Sequence, residues 1–240
     1  MNSFLENNYI LIYRGVEILA ALIGLIYLRK YRDDKAAKYF IYFLVYVQFV
    51  EFFGAYPRYL YKYESLHWIK EAIKGTLFKQ NYWWYTIFWT IGSSVFFATY
   101  FYISSNSKSL RKSIKWVTIS CLVLSVFVFI MSIDKIKYNY LILLDVLNLV
   151  IIVSLAVLYF IQLLNSESIL SFYKMLSFYI CSGILVFWIV TTPLMFYEEY
   201  YNVLDKGFIA LKKGIYLLSI IFMYLIFAIG LIVSDPEKNN

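Results

Sequence analysis

Seven apolar stretches, each long enough to cross a lipid bilayer, occupy most of this 240-residue chain. A membrane-spanning helix needs roughly 20 apolar residues to cross about 30 Å of hydrocarbon. The stretches do not alternate between apolar and polar residues, and they are far longer than the strands of a membrane barrel. We therefore predict an all-α, seven-transmembrane-helix bundle that forms a single domain over residues 1–240. The predicted spans are Tyr9–Leu28, Tyr39–Tyr56, Tyr82–Ile103, Trp116–Ile133, Tyr138–Leu164, Met175–Tyr197 and Gly214–Val233.

The composition favours a membrane protein over an enzyme or a nucleic-acid-binding protein. Charged residues make up 15% of the chain, against about 25% in a soluble domain, and the net charge of +7 suits anionic lipid headgroups. One histidine and two separated cysteines cannot build the usual metal-ligand sets, so we expect no metal and no cofactor. No HExxH, GxSxG or P-loop motif occurs. An enzyme is the least favoured class, although a lipid-modifying activity through a carboxylate stays open.

The basic residues predict the orientation of the bundle. Short cytoplasmic connections carry an excess of Lys and Arg. The connections after the first and third spans fit that rule, which places the N-terminus outside and the C-terminus inside. The long connection between residues 57 and 81 would then be external, although it is also basic. The basic residues of the first and third connections are Arg29, Lys30, Arg32, Lys35, Lys108, Arg111 and Lys112.

An amphipathic helix is predicted in the connection between the second and third spans. Apolar residues recur there at helical spacing, at Leu66, Ile69, Ile73 and Leu77, and Ser65 is a suitable N-cap. Such a helix would lie on the outer membrane interface. It would serve either as a spacer resting on headgroups or as a flap over an external pocket.

Four ionisable side chains lie inside the predicted spans, and charge within lipid is costly unless it is paired or used. At ~1.5 Å per residue, each lies roughly 8 to 14 Å from the outer end of its span. All four belong to i, i+3 pairs, namely Arg14 with Glu17, Gln48 with Glu51, and Asp145 with Asn148, and each pair shares one helical face. We expect these faces to turn inward and to form one polar layer. The layer comprises Arg14, Glu17, Gln48, Glu51, Asp145 and Asn148.

Two further features lie near the same level. Trp89 lies two turns into the third span, where an aromatic side chain could line an outward-facing pocket. Pro193 lies near the outer end of the sixth span, where it should free the carbonyl near Ile189 and kink the helix. Thr191 and Thr192 could satisfy part of that loss. We take Trp89 as a candidate pocket residue and Pro193 as a candidate conformational element.

Three segments resemble a known group of membrane proteins: the stretch 159–197, the segment FVEFFGAY around Glu51, and the opening NYWWYTIFW of the third span. They are similar to compact seven-helix integral membrane proteins of Bacteroidota, which resemble the membrane sensor modules of histidine kinases. The resemblance implies a multi-pass protein of the bacterial inner membrane with a sensory role. The group has an acidic residue near the position of Gly92, which this chain lacks.

These features favour a receptor-like or sensory protein. It would bind a small ligand, a lipid headgroup or a proton in an outward-facing polar pocket, and it would signal through a separate cytoplasmic partner. A small transporter or proton-coupled permease is the first alternative. Few polar residues lie below the layer to line its path, and the candidates are Ser93, Ser94, Ser120, Ser154 and Ser182. A structural subunit of an envelope complex is the second. In that case, the ionic network would serve only to fix helix register.

Overall fold

The computed structural model describes residues 3–105, 107–138, 141–197 and 206–236, and in these ranges the chain forms helices joined by turns, with no strand. Seven of these helices are long and apolar enough to cross a membrane, which confirms the predicted all-helical class and the number of spans. The seven candidate spans are Asn8–Tyr27, Lys35–Lys62, Tyr82–Ser104, Lys108–Met131, Ile142–Leu164, Leu176–Leu194 and Gly207–Val233.

Several spans contain or adjoin shorter helical elements. The α-helices are Ser3–Tyr27, Lys35–Gly54, Tyr56–Lys62, His67–Ala72, Tyr82–Trp84, Gly92–Ser104, Lys108–Met131, Ile133–Ile136, Ile142–Leu164, Leu176–Tyr197 and Lys206–Val233. Segments of 3₁₀-helix cover Glu64–Leu66, Leu77–Lys79 and Glu167–Lys174. A π-helical segment, Tyr85–Ile91, lies inside the third span.

The chain divides into two compact units, which are described separately. The terminal unit comprises Met1–Leu44 and Ala156–Asn240, and the central unit comprises Val45–Leu155.

In the terminal unit, the seventh span packs against both the first and the sixth. The second span also contacts the seventh in this unit, where the rings of Phe40 and Phe227 meet edge to face at 5.1 Å. Small residues let the helix backbones approach closely, as is common between membrane helices. The closest approach is at Gly230, where an added Cβ would lie 2.6 Å from the Cβ of Tyr179.

The end of the seventh span is tied to the connection that follows the first. The buried Tyr31 hydroxyl lies 3.0 Å from the Leu231 carbonyl, and Lys30 Nζ donates to the Ile232 carbonyl at 2.9 Å. Burial raises the pKa of Tyr31 to about 12, so its hydroxyl keeps its proton and remains a donor. These bonds satisfy carbonyls that the last turn of a helix leaves without a helical partner.

In the central unit, the second span continues beyond its predicted end at Tyr56. The helix breaks at Ala55 and resumes as Tyr56–Lys62, with Pro57 in its first turn. Backbone N–H groups in the first turn have no partner within the helix, so proline fits there without losing a hydrogen bond. The amphipathic helix, predicted from Ser65 to Leu77, is shorter than expected. It covers only His67–Ala72 and lies between two 3₁₀ turns. Ser65 is not its N-cap; that position belongs to Leu66, which makes no side-chain cap bond.

The fifth span begins later than the sequence suggested. Ile133–Ile136 form a separate short helix, and the span helix starts at Ile142 rather than Tyr138. Lys137 bonds back to Asp134, with 2.7 Å between Nζ and Oδ1, so this region belongs to the connection. Asp145 therefore lies in the first turn of its helix, where the positive end of the helix dipole favours a carboxylate.

We expect Gly230→Ala to destabilise the protein by about 1–3 kcal/mol, because the new methyl group would overlap Tyr179 and force the sixth and seventh spans apart. The loss would be measured as a lower unfolding free energy of the purified protein in detergent. Gly15→Ala is the matched control, since nothing lies within 4 Å of its added Cβ. Equal stability of the two variants would contradict the proposed close contact.

Candidate functional site

The third span changes its helical register where it meets its polar neighbours. Residues Tyr85–Ile91 form the π-helical segment, between α-helical turns at Tyr82–Trp84 and Gly92–Ser104. Such segments are rare and are frequently found at functional sites, since they widen the helix and redirect its side chains. Thr86 and Thr90 in this segment are buried.

Polar residues of the fifth span meet this part of the third span. The Thr90 hydroxyl donates to Asp145 Oδ1 at 3.2 Å. One turn further along both helices, Asn148 Oδ1 accepts from the Ser94 hydroxyl and lies 3.5 Å from the Ser93 hydroxyl. Asn148, Ser93 and Ser94 are each at most 4% exposed. We call Thr90, Ser93, Ser94, Asp145 and Asn148 the polar cluster.

The second span also forms hydrogen bonds with this part of the third span. Tyr46 donates its hydroxyl hydrogen to the Phe88 carbonyl at 2.6 Å, inside the π-helical segment. The Trp84 indole donates to the Val50 carbonyl at 2.9 Å, and the Tyr85 hydroxyl donates to Glu51 Oε2 at 3.3 Å. The central unit therefore links polar groups of the second, third and fifth spans.

Gly92 has a packing role at the position where the resembled group has an acidic residue. A Cβ added to Gly92 would lie 2.8 Å from the Tyr46 hydroxyl oxygen. A larger residue would displace this hydroxyl from the Phe88 carbonyl. At Gly92, this chain therefore has a close contact between the second and third spans instead of an acidic side chain.

The predicted site residues fall in both units. Gln48, Glu51, Asp145 and Asn148 belong to the central unit, as does Trp89. Of these, Asn148 is buried, and the other four are half-buried.

Arg14 and Glu17 belong to the terminal unit. Glu17 is 5% exposed, while Arg14 is half-buried with its guanidinium carbon 5.7 Å from the centre of the Tyr13 ring. The meeting of this pair with the acids of the central unit stays a prediction.

Pro193 lies inside the helix Leu176–Tyr197. The Thr191 hydroxyl donates to the Phe187 carbonyl at 2.8 Å, and the Thr192 hydroxyl bonds to the Trp188 carbonyl. Both threonines thus bond to carbonyls four residues earlier, as threonines in membrane helices commonly do. The two accepting carbonyls directly precede Ile189, near which proline is predicted to free a carbonyl, and the kink at Pro193 stays a prediction.

Tyr46, Thr90, Ser93 and Ser94 are not among the site residues predicted from the sequence. Tyr46 is one of 25 tyrosines, so nothing in the composition distinguishes it from apolar filling. The two serines lie three and four residues after Thr90, a spacing that places all three on one helical face. The useful signal was the density of small hydroxyl residues between 86 and 94.

The cluster can accept and relay hydrogen bonds. The Asp145 carboxylate and the Asn148 amide offer acceptors, and the three hydroxyl groups can each act as donor or acceptor. Such a set suits a proton, a cation or a hydrogen-bonding ligand. Among the described residues, no three His, Cys, Asp or Glu side chains are grouped as a metal site would require.

No protein-family model, no curated protein and no solved structure matches this chain. The similarity to membrane proteins of Bacteroidota therefore stays a prediction. Inference about the function depends on the residues of the chain itself.

We expect Thr90→Val to lower the unfolding free energy in detergent by ~1 kcal/mol, because it removes a hydrogen bond between two membrane helices. Thr99→Val is the matched control. Thr99 lies on the same helix, and its hydroxyl donates to the Val95 carbonyl at 2.8 Å, so no bond to another span is lost. A loss of the same size in both variants would mean that the bond to Asp145 contributes nothing.

Proposed function

We propose that this protein is a receptor-like or sensory protein of the bacterial inner membrane. It binds a small ligand, a lipid headgroup or a proton at the polar layer, from the outer side of the membrane. It passes the signal to a separate cytoplasmic partner. This proposal keeps Arg14 and Glu17 in the layer together with the residues of the central unit.

The observation that carries this proposal is the position of the polar cluster at the end of the π-helical segment. The Asp145 carboxylate bonds to Thr90 inside the segment, and the Asn148 amide bonds to Ser94 in the α-helix that follows it. Stability alone would be served as well by apolar residues of similar volume. Polar groups inside a membrane mark functional pathways by default.

The π-helical segment offers a way to transmit a binding event. A change in the partners of Thr90 or Ser94 would favour one register of the third span over another. Such small helix shifts are an established means of switching. Pro193 provides a second interruption, in the sixth span. In this proposal a separate cytoplasmic partner receives the signal at the connections on the predicted cytoplasmic side, of which the structure describes residues 28–34, 105, 107 and 165–175.

A proton-coupled permease is the second candidate. Ser93 and Ser94 were expected to lie below the layer as part of a thin polar lining. Both serines instead join the cluster through Asn148, so polar groups extend one turn beyond Asp145. Proton flux into liposomes that disappears with Glu51→Gln would favour this candidate over a sensor.

We expect the tryptophan fluorescence of the full-length protein in nanodiscs to change when the pH is lowered from about 9 to about 4. Protonation would turn an Asp145 acceptor oxygen into a donor and disturb its bond to Thr90, next to Trp89. Asp145→Asn should abolish the change. Asp134→Asn is the control, because Asp134 carries the same group on an exposed connection. An unaltered curve for Asp145→Asn would contradict proton sensing at the cluster.

Arg14→Ala tests whether the terminal unit contributes to the response. If Arg14 belongs to the layer, this variant should insert and melt cooperatively like the wild type but lose the fluorescence change. The melting profile separates this result from a structural role. A variant that only fails to fold would show that the network fixes helix packing, as expected for a structural subunit.

A further inference from the structure

A pocket of about 180 Å³ opens between two connections of the central unit. One wall comes from the connection between the second and third spans and includes Lys79, Gln80 and Tyr82. The other wall comes from the connection between the fourth and fifth spans and includes Lys137 and Tyr138. Since successive spans cross the membrane in alternate directions, these two connections lie on the same side of it.

A tight turn holds the first wall in place. Gly75 has a φ of +80°, which favours glycine because a side chain would be strained there. The next residue, Thr76, accepts from the Phe78 N–H at 3.2 Å and donates to the Ile73 carbonyl at 2.7 Å. The 3₁₀ turn Leu77–Lys79 then packs against the short helix Ile133–Ile136. This packing brings two lysines distant in sequence to one pocket.

The pocket carries an excess of positive charge. Lys137 is paired with Asp134 at 2.7 Å, and the hydrogen bond and charge of Asp134 raise the pKa of Lys137. Lys79 forms no ion pair with any residue that the structure describes. The residues that line the pocket include these two lysines and no acidic residue, while Asp134 lies beside the pocket as the partner of Lys137. Gln80 adds an amide that can donate hydrogen bonds.

The pocket lies near the first residues of the third and fifth spans. Tyr82 begins the third span, and Tyr138 lies four residues before Ile142, the start of the fifth. Aromatic residues at span ends are typical of the membrane–water interface, at the level of the lipid headgroups. A group bound in this pocket would therefore be reached both from the bilayer surface and from water.

We propose that this pocket binds a phosphate group through Lys79, Lys137 and Gln80. Two ammonium groups and an amide donor around one opening match the charge and the acceptor oxygens of a phosphate. The phosphate belongs either to a lipid headgroup or to a soluble phosphate ester. This site is separate from the polar cluster, and it does not depend on the proposed sensory role.

The test measures binding of two probes to the full-length protein in detergent. Phosphatidylglycerol binding is followed by native mass spectrometry, and inorganic phosphate binding by the thermal midpoint against chloride at equal ionic strength. We expect the wild type to bind at least one probe. The double variant Lys79→Gln, Lys137→Gln should weaken that binding roughly thirtyfold, because each lysine near an anionic group contributes about 1 kcal/mol.

The matched control is Lys74→Gln, which removes the same charge from the same connection outside the pocket. Lys74 is exposed and paired with Glu71 at 3.3 Å, and its variant should bind like the wild type. The single variant Lys79→Gln repeats the test while leaving the ion pair between Lys137 and Asp134 intact. A melting temperature that is unchanged in the absence of a probe shows that each variant is folded.

The outcomes separate the two sources of phosphate. If only the lipid binds, and its binding is lost in the pocket variants, then the pocket binds a lipid headgroup. If inorganic phosphate binds, then the pocket binds a soluble phosphate ester. Absence of binding by the wild type to both probes overturns the proposal. So does equal weakening in Lys74→Gln, because the effect would then reflect the overall charge of the connection rather than the pocket.

Discussion

The absence of water within the lipid hydrocarbon determines how this protein satisfies its polar groups. A polar group inside a span must find its partner within the protein, because lipid offers none. The helix satisfies its own backbone, and the remaining polar side chains turn to carbonyls or to one another. Tyr46, Trp84, Thr191 and Thr192 all donate to backbone carbonyls. The polar cluster and the Tyr85–Glu51 pair differ, since their bonds join side chains of different spans.

The π-helical segment connects this constraint to the candidate function. Its Phe88 carbonyl accepts from a neighbouring span, and its Thr90 hydroxyl donates to Asp145. A change at either bond alters the environment of the other, because both lie within three residues of one helix. Asp145 lies in the first turn of its own helix, and its bond to Thr90 joins the start of the fifth span to the end of this segment.

The number and the class of the spans could be predicted, because length and hydropathy follow from the thickness of the bilayer. Their ends could not be predicted equally well. The Ser65 cap and the Tyr138 start were wrong because short helices and 3₁₀ turns occupy the connections, and their packing decides where each helix stops. The pocket at Lys79 and Lys137 arises from the same packing, which no local pattern reveals.

The sequence by itself determined that the chain forms seven apolar helices with a few costly polar residues inside them. The spacing of Gln48 with Glu51, and of Asp145 with Asn148, indicated which helical faces carry those residues. Only the tertiary structure decided their partners. Thr90, Ser93 and Ser94 became part of the candidate site because they face Asp145 and Asn148 of the fifth span. Which spans face each other depends on packing between distant parts of the chain, which a linear pattern of residues does not contain.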